Sequence, residues 1–522
     1  MLLFKLNLLK IKTVLIRKSL AISSSNYRNG FKPYEEIPRV TFLNFLSVSL
    51  RPSKRGKLDK VYGIFDFMAT INTMFQILED WYRTKGPIIK VRFPLGKPDT
   101  LFVKNPEAMK TVYDHDGKYP INGVNDFNDY YRHNMAQDLF PDTGGLGGSR
   151  GREWHEFRSK VQRDMMRPKS AFFYIGIVEE ISYELQGLIS QSLDENQEVD
   201  DLLELINRWA TESITAIFLD IRLNYLNNDL AQDSEAEELI DAIKVLTGPD
   251  GQNLAMGPSI WKYFPTPSFR RFDKAVRDFT KMEKNIIDKA LSGMKKREDE
   301  TDAELSLLEK LINRCGPDSP VPLLMSQDAI VAGVETTGTT AAFLLLDLAR
   351  NSDKQEILYQ EIVDTIGDGD ITEPKLKQMK YLKACFRESQ RMNPAVLGSC
   401  RITQEDMVLE GYKVPKGVTV IYSLMLAMRD PELFPDSDRF LPERWLRGNP
   451  LRHKSHPFAT TIFGHGPRMC IGRRFAELEC YIITIKVLQR FKLEYHHQHV
   501  GVAVEFVNKP DRKIRMRFIS RK

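Results

Sequence analysis

Cys470 lies in the run Phe463-Gly464-His465-Gly466-Pro467-Arg468-Met469-Cys470-Ile471-Gly472. A thiolate that holds a metal needs its charge stabilised, and backbone amides aimed at sulfur supply that. Gly464, Gly466 and Gly472 permit tight turns that point amides inward and bring a flat group against the backbone. Arg468, two residues before the cysteine, can reach a carboxylate on the same group, and Phe463 can screen the sulfur from water. The plain alternative is a buried, inert cysteine.

Other constellations bear on that choice. Ala332-Gly333-Val334-Glu335-Thr336-Thr337 places a carboxylate and hydroxyls inside an apolar helix, which is costly unless they are hydrogen-bonded or put to use. A kinked helix satisfied by threonine back-bonding is the plain reading there. Glu388 and Arg391 share a helix face, and Arg444 of Pro442-Glu443-Arg444-Trp445 can close a buried network around them. Alone, such a pair is more often a solvated surface pair. Trp154 and Arg158 stand four residues apart, Arg401 follows in a segment after Pro394, and Lys383 and Arg387 form a basic i, i+4 pair.

In this chain order the segments resemble the cytochrome P450 family. The cysteine run matches the family's haem-binding loop, F-G-x-G-x-R-x-C-x-G, at every specified position. The other segments are similar to its W-x-x-x-R, A-G-x-[DE]-T-T, E-x-x-R and P-E-R-x stretches. The resemblance implies one b-type haem with Cys470 as its axial iron ligand, a thiolate that favours O–O cleavage. It implies that Trp154, Arg158, Arg401 and Arg468 hold the propionates and that Phe463 lies beside the sulfur. Glu388, Arg391 and Arg444 would be structural, behind the haem. Glu335 and Thr336 would be catalytic, delivering protons during oxygen activation. The threonine would open the helix ladder, and Gly333 would let dioxygen approach the backbone. One departure is Ile37-Pro38-Arg39-Val40, where the family commonly has Pro-Gly-Pro, so the leading segment is expected to pack differently.

Further stretches resemble the mitochondrial class, in which Lys383 and Arg387, with Arg473 and Arg474 after the cysteine, would dock an acidic, adrenodoxin-like [2Fe–2S] ferredoxin. No NADPH or flavin fingerprint is visible after the haem region, so electrons are expected to come from that separate carrier. Lys32–Pro38, Trp261–Arg270, Arg391–Pro394 and Gly411–Gly417 are similar to arthropod ecdysteroid 22-hydroxylases. That similarity implies hydroxylation of a steroid, 2,22-dideoxyecdysone, at C22 to give 2-deoxyecdysone. The rivals are a mitochondrial relative acting on another sterol position or on xenobiotics, a haem-thiolate isomerase or lyase, and a non-enzymatic haem sensor.

The elements that must position these groups are mostly helical. Apolar residues recur at three- and four-residue spacing near 172–192, 201–220, 235–247, 270–298 and 381–392. Residues 329–349 read as a helix buried in protein, because Glu335 and the threonine pairs argue against a membrane span. Strand signals fall at 88–92, 99–103 and 406–422, and 430–470 reads as ordered but irregular. The expected fold is mainly α with a small β region, one haem-containing domain over 31–522.

The 522 residues, 42% apolar and 28% charged, exclude a disordered chain, and five cysteines without paired spacing are too sparse for a disulfide scaffold. The net charge of +5 is too small to argue for nucleic acid. Its excess lies in residues 1–34, which carry seven Lys or Arg and no acid. That segment is basic, amphipathic and followed by Ser23–Ser25, so 1–30 is expected to be a mitochondrial transit peptide. A basic helix lying on a membrane surface is the alternative. The mature enzyme would then sit on the matrix side of the inner mitochondrial membrane.

Overall fold

The structure is a computed structural model, which describes residues 31–41, 77–92, 99–123, 126–227, 235–256, 259–294, 305–316, 318–450, 455–503 and 507–521. The expected transit peptide lies outside the described residues. Helix dominates. Helix α1 (Gly151–Met166) lies outside the segments that periodicity marks. The segments expected near 172–192 and 201–220 form α2 (Ile175–Gln191) and α3 (Leu202–Phe218), whereas the one expected over 329–349 begins eight residues earlier, as α4 (Val321–Arg350). The segment expected over 381–392 forms α5 (Lys380–Met392), and α6 (Arg473–Arg490) is again one that periodicity does not mark.

Helix α4 is the axis of the core. It is long and apolar enough to cross a membrane by composition, but nearly every side chain from Thr337 to Ala349 is packed inside the protein. Its two interior glycines set its distance from α3. A Cβ on Gly333 would fall 1.9 Å from Ile214 Cδ1, and one on Gly338 would fall 2.2 Å from Asn207 Oδ1. The helix is α-helical throughout, so the expected opening of its ladder at Thr336 is not present. Instead the Thr336 hydroxyl donates to Ala332 O at 2.7 Å and the Thr340 hydroxyl to Thr336 O at 2.7 Å, local bonds that satisfy the hydroxyls without breaking the helix. Gly333 likewise serves close helix packing: the space its side chain would occupy belongs to Ile214.

The small β region holds a five-stranded sheet: β1 (Arg39–Thr41), β2 (Ile88–Arg92), β3 (Thr100–Val103), β4 (Ser399–Ile402) and β5 (Thr419–Tyr422), in the order β1-β2-β3-β5-β4. The leading segment, despite lacking Pro-Gly-Pro, joins it as an edge strand, Val40 lying parallel beside Val91. Strand β4, which carries Arg401, pairs antiparallel with β5, placing Arg401 opposite Val420. The expected 406–422 strand signal resolves into a hairpin, Met407–Leu409 with Tyr412–Val414, and then β5. Glu410 and Gly411 turn the hairpin with φ of 50° and 79°, the left-handed geometry that short hairpin loops use. Among the described residues between 430 and 470, 3₁₀ turns are the only helical pieces in an otherwise irregular backbone, as the sequence indicates.

Candidate active site

The cysteine loop is built by its glycines. Gly464 and Gly466 take φ of 72° and 73°, a region a side chain would strain. Their turn lets Cys470 N donate to Phe463 O at 2.8 Å. Gly472 then caps α6, and the amides of Gly472 and Arg473 point at the Cys470 sulfur. Burial pushes the thiol up, while those amides, Arg158 and Arg473 oppose it. Cys385, Cys400 and Cys480 are buried and Cys315 is half-buried, whereas Cys470 presents surface although protein crowds round it. That combination describes a residue lining an internal hollow. On α4, Ala332 is exposed, as is the Thr336 hydroxyl, so these two residues four apart on one helix face present surface as well.

Around the loop lies an excess of buried positive charge. Trp154, Phe157, Arg158 and Val161 form the inner face of α1. The Arg158 guanidinium donates to Met469 O at 2.8 Å, and its Nε is buried without a partner. Arg468 lies 4.0 Å from the centre of the Trp154 ring and donates through Nε to Pro120 O at 2.6 Å, with Nη2 buried and unpartnered. Burial pulls Arg158 down to about 10. It pulls Arg468 to about 9, helped by the charges of Arg401, Arg150 and Arg158. Neither has a carboxylate within salt-bridge distance among the described residues. Arg401 is different: its Nε binds Asp116 at 2.8 Å, and its remaining nitrogens reach Cys400 O at 2.8 Å and His465 O at 3.2 Å. Asp116 was not visible as a site residue in the sequence, since its partner lies 285 residues away.

Two unpaired guanidiniums beside a surface-presenting cysteine are expensive for a protein alone. They fit a flat dianion, and haem with its two propionates is one.

Behind the loop the glutamate–arginine network forms as expected. Glu388 Oε1 accepts from Arg391 Nη2 at 2.9 Å, Arg444 Nε at 2.9 Å and Leu441 N at 3.1 Å, and Oε2 accepts from Arg391 Nε at 3.0 Å. Trp445 Nε1 adds a fifth bond at 2.8 Å, a role the sequence reading left out. The remaining guanidinium donors find backbone carbonyls of Met428, Pro435, Asp436 and Arg439. A buried ionic group satisfied on every side is what such a network requires.

Glu335 does not stand alone on α4. It accepts from Lys509 Nζ at 3.0 Å, and Lys509 belongs to a short hairpin near the C-terminus. Of the basic residues expected to meet a partner, Arg387 is exposed and Lys383 half-buried, donating to Lys377 O at 2.9 Å. Arg473 and Arg474 both pair with Glu477, at 2.8 and 3.5 Å. Glu477 acts electrostatically on Lys383 as well, so all four cations gather on one patch where α5 meets the start of α6.

Residues 60–514 match the family model for cytochrome P450, and this chain belongs to that family. It is a haem-thiolate monooxygenase. It is 33% identical to probable cytochrome P450 12a5, mitochondrial, of Drosophila melanogaster, over 89% of this chain and 87% of the relative. It is 32% identical to probable cytochrome P450 301a1, mitochondrial, of the same fly, over 95% of this chain and 88% of the relative. Probable cytochrome P450 49a1 of that species is also 32% identical, over 91% and 81%. The fold is similar to the crystal structure of the cytochrome P450DA heme domain, with a TM-score of 0.69 and 19% identity over 87% of this chain and 92% of that one.

Proposed function

We propose that this chain is a mitochondrial steroid hydroxylase that converts 2,22-dideoxyecdysone to 2-deoxyecdysone, taking electrons from an acidic [2Fe–2S] ferredoxin. Haem supplies the oxygen chemistry, in which a C–H bond, O₂, two electrons and two protons yield an alcohol and water. The chain's residues do the rest. Cys470 provides the thiolate, held by the amides of Gly472 and Arg473. Arg158 and Arg468, with Trp154 stacked beneath, neutralise the propionates, and Arg401 holds the loop in place through His465 O. Thr336, on the exposed face of α4, holds a proton at Oγ1, and Glu335 lies next to it.

The observation that carries this reading is the pair of buried guanidiniums without acids beside the cysteine loop. The mitochondrial names of the insect relatives and the basic patch on α5 and α6 support the compartment and the electron donor. Tyr263 and Phe264, adjacent and 80% and 71% exposed, support contact with the inner-membrane surface. The substrate rests on the sequence stretches similar to ecdysteroid 22-hydroxylases.

Reconstitution with ferredoxin, reductase, NADPH and a panel of ecdysteroid precursors tests it. The expected product carries a new hydroxyl at C22. A hydroxyl at another carbon, or oxidation of unrelated lipophiles only, would replace the substrate assignment. An intact ferrous–CO band near 450 nm in Cys470→His would remove the ligand assignment itself.

A further inference from the structure

Phe173 is 46% exposed, one of few large apolar side chains that the described surface leaves open. It is rigidly backed. Its ring meets Tyr174 edge-on at 5.0 Å, and Tyr174 is buried, with its hydroxyl accepting from Leu307 N at 2.7 Å. The Tyr174 ring in turn lies 6.1 Å from that of Phe475, five residues after Cys470. The aromatic side chain therefore stands on the same support as the ligand loop.

Cations flank it. Lys310 Nζ lies 5.1 Å from the Phe173 ring centre, and Lys377 Nζ lies 5.9 Å from that of Phe172. Lys377 is exposed and accepts Lys383 Nζ at its carbonyl, which joins the aromatic pair to the basic patch of α5 without a gap. A largely exposed ion pair with Glu373 holds Lys377 in place, and such pairs are weak enough to yield to a partner.

We propose that Phe173 is the apolar centre of the surface that receives the acidic ferredoxin, with Lys310, Lys377 and Lys383 as its charged rim. The inference rests on the ferredoxin reading above and adds the residue that binds and does not merely steer. Rim cations raise the encounter rate, and a central aromatic desolvated on docking slows dissociation. Transient electron-transfer interfaces are small, so one buried aromatic carries a large share of their affinity.

The test compares Phe173→Ala with Lys383→Glu in the full-length holoenzyme, using a purified adrenodoxin-type ferredoxin. KM for reduced ferredoxin is read at low and high salt, with the CO spectrum and peroxide-supported turnover as controls. Phe173→Ala is expected to raise KM about tenfold at both salts, a typical hot-spot loss. The effect of Lys383→Glu shrinks as salt rises. An unchanged KM in Phe173→Ala with a damaged Lys383→Glu would overturn this inference and leave the docking face standing. No change in either variant would overturn both. A parallel fall in the CO band or in peroxide turnover of Phe173→Ala would make the residue part of the fold and end the proposal.

Discussion

The carboxylate of Glu335, midway along α4, accepts a hydrogen bond at 3.0 Å from the ammonium of Lys509, 174 residues later. The lysine is held there by its neighbour. Asn508, fully buried, donates through its amide to Ala395 O at 2.8 Å and through Nδ2 to Pro394 O at 2.7 Å. The C-terminal hairpin is thereby tied to the segment after α5 and aims its cation at the one acid beside Thr336.

An opposite charge at this distance favours the ionised carboxylate. Lys509→Met should therefore make Glu335 easier to protonate, moving the acid limb of product formed per NADPH to higher pH. Lys509→Arg should restore it. The pair is partly solvated, so stability should change by less than about 1 kcal/mol. A pH profile identical in Lys509→Met and the parent would show that the hairpin does not act on the acid.

Thr336 poses a sharper question, because its one proton is engaged with Ala332 O. To serve as a donor the hydroxyl must rotate away from that carbonyl, which costs about 1 kcal/mol, the ordinary net worth of a hydrogen bond. Thr336→Ala removes the proton altogether, and positioned acid assistance is worth about 10²–10⁴-fold. NADPH consumption should continue while hydroxylated product falls at least about tenfold and hydrogen peroxide rises, with Thr336→Ser close to the parent. Unchanged coupling in Thr336→Ala would leave the hydroxyl a role in helix packing alone.

The sequence exposes some of this site and conceals the rest for a physical reason. Cys470, Glu388, Arg391 and Arg444 are legible because short spacing fixes their chemistry: glycines at turns, an i, i+3 pair, a proline-led 3₁₀ turn. The long helices are legible because burial of one face imposes a period. Asp116 with Arg401 and Lys509 with Glu335 are not, since each pair is made by tertiary closure, over 285 and 174 residues respectively. The central helix misleads in another way. Gly333 and the Thr336 ladder suggest a groove for dioxygen, yet α3 packs so closely that Ile214 fills the space at Gly333, and the ladder stays whole. Short strands such as β4 escape because three or four residues carry too little periodicity to register.

Arg468 leads to a prediction with two opposite signs. Its guanidinium is buried beside three other arginines and has no acid of its own, so without haem it is a burden. Arg468→Leu should speed haem loss from the holoprotein, measured by transfer to apomyoglobin. It should also raise the denaturant midpoint of the haem-free chain. If both quantities fell together, Arg468 would be a general packing residue and not a counter-charge for the cofactor.

Asp347 supplies the pH dependence of the fold. It lies fully buried on α4 behind the Glu388 network, accepting from Ser389 Oγ at 2.7 Å and from Asn393 Nδ2 at 3.1 Å. It also lines a polar cleft of about 400 Å³ with Arg350, Lys354, Asp438, Arg439 and His499. Burial raises its carboxyl from the usual range to about 7, and Glu388 adds to that rise, while Ser389, Arg350 and Asn393 oppose it. A carboxyl whose folded value exceeds its unfolded one binds its proton more tightly when folded. The resulting stability is full below about pH 4 and is lost as pH rises through 7. The ceiling is about 4 kcal/mol, from some three units of displacement. Asp347→Asn keeps the size and an accepting oxygen but cannot ionise. Urea midpoints from pH 5 to 8 should therefore decline more steeply in the parent than in Asp347→Asn, with the curves closest at the acid end. Parallel curves across that range would mean that Asp347 stays ionised in the folded chain and that its bonds to Ser389 and Asn393 outweigh its burial.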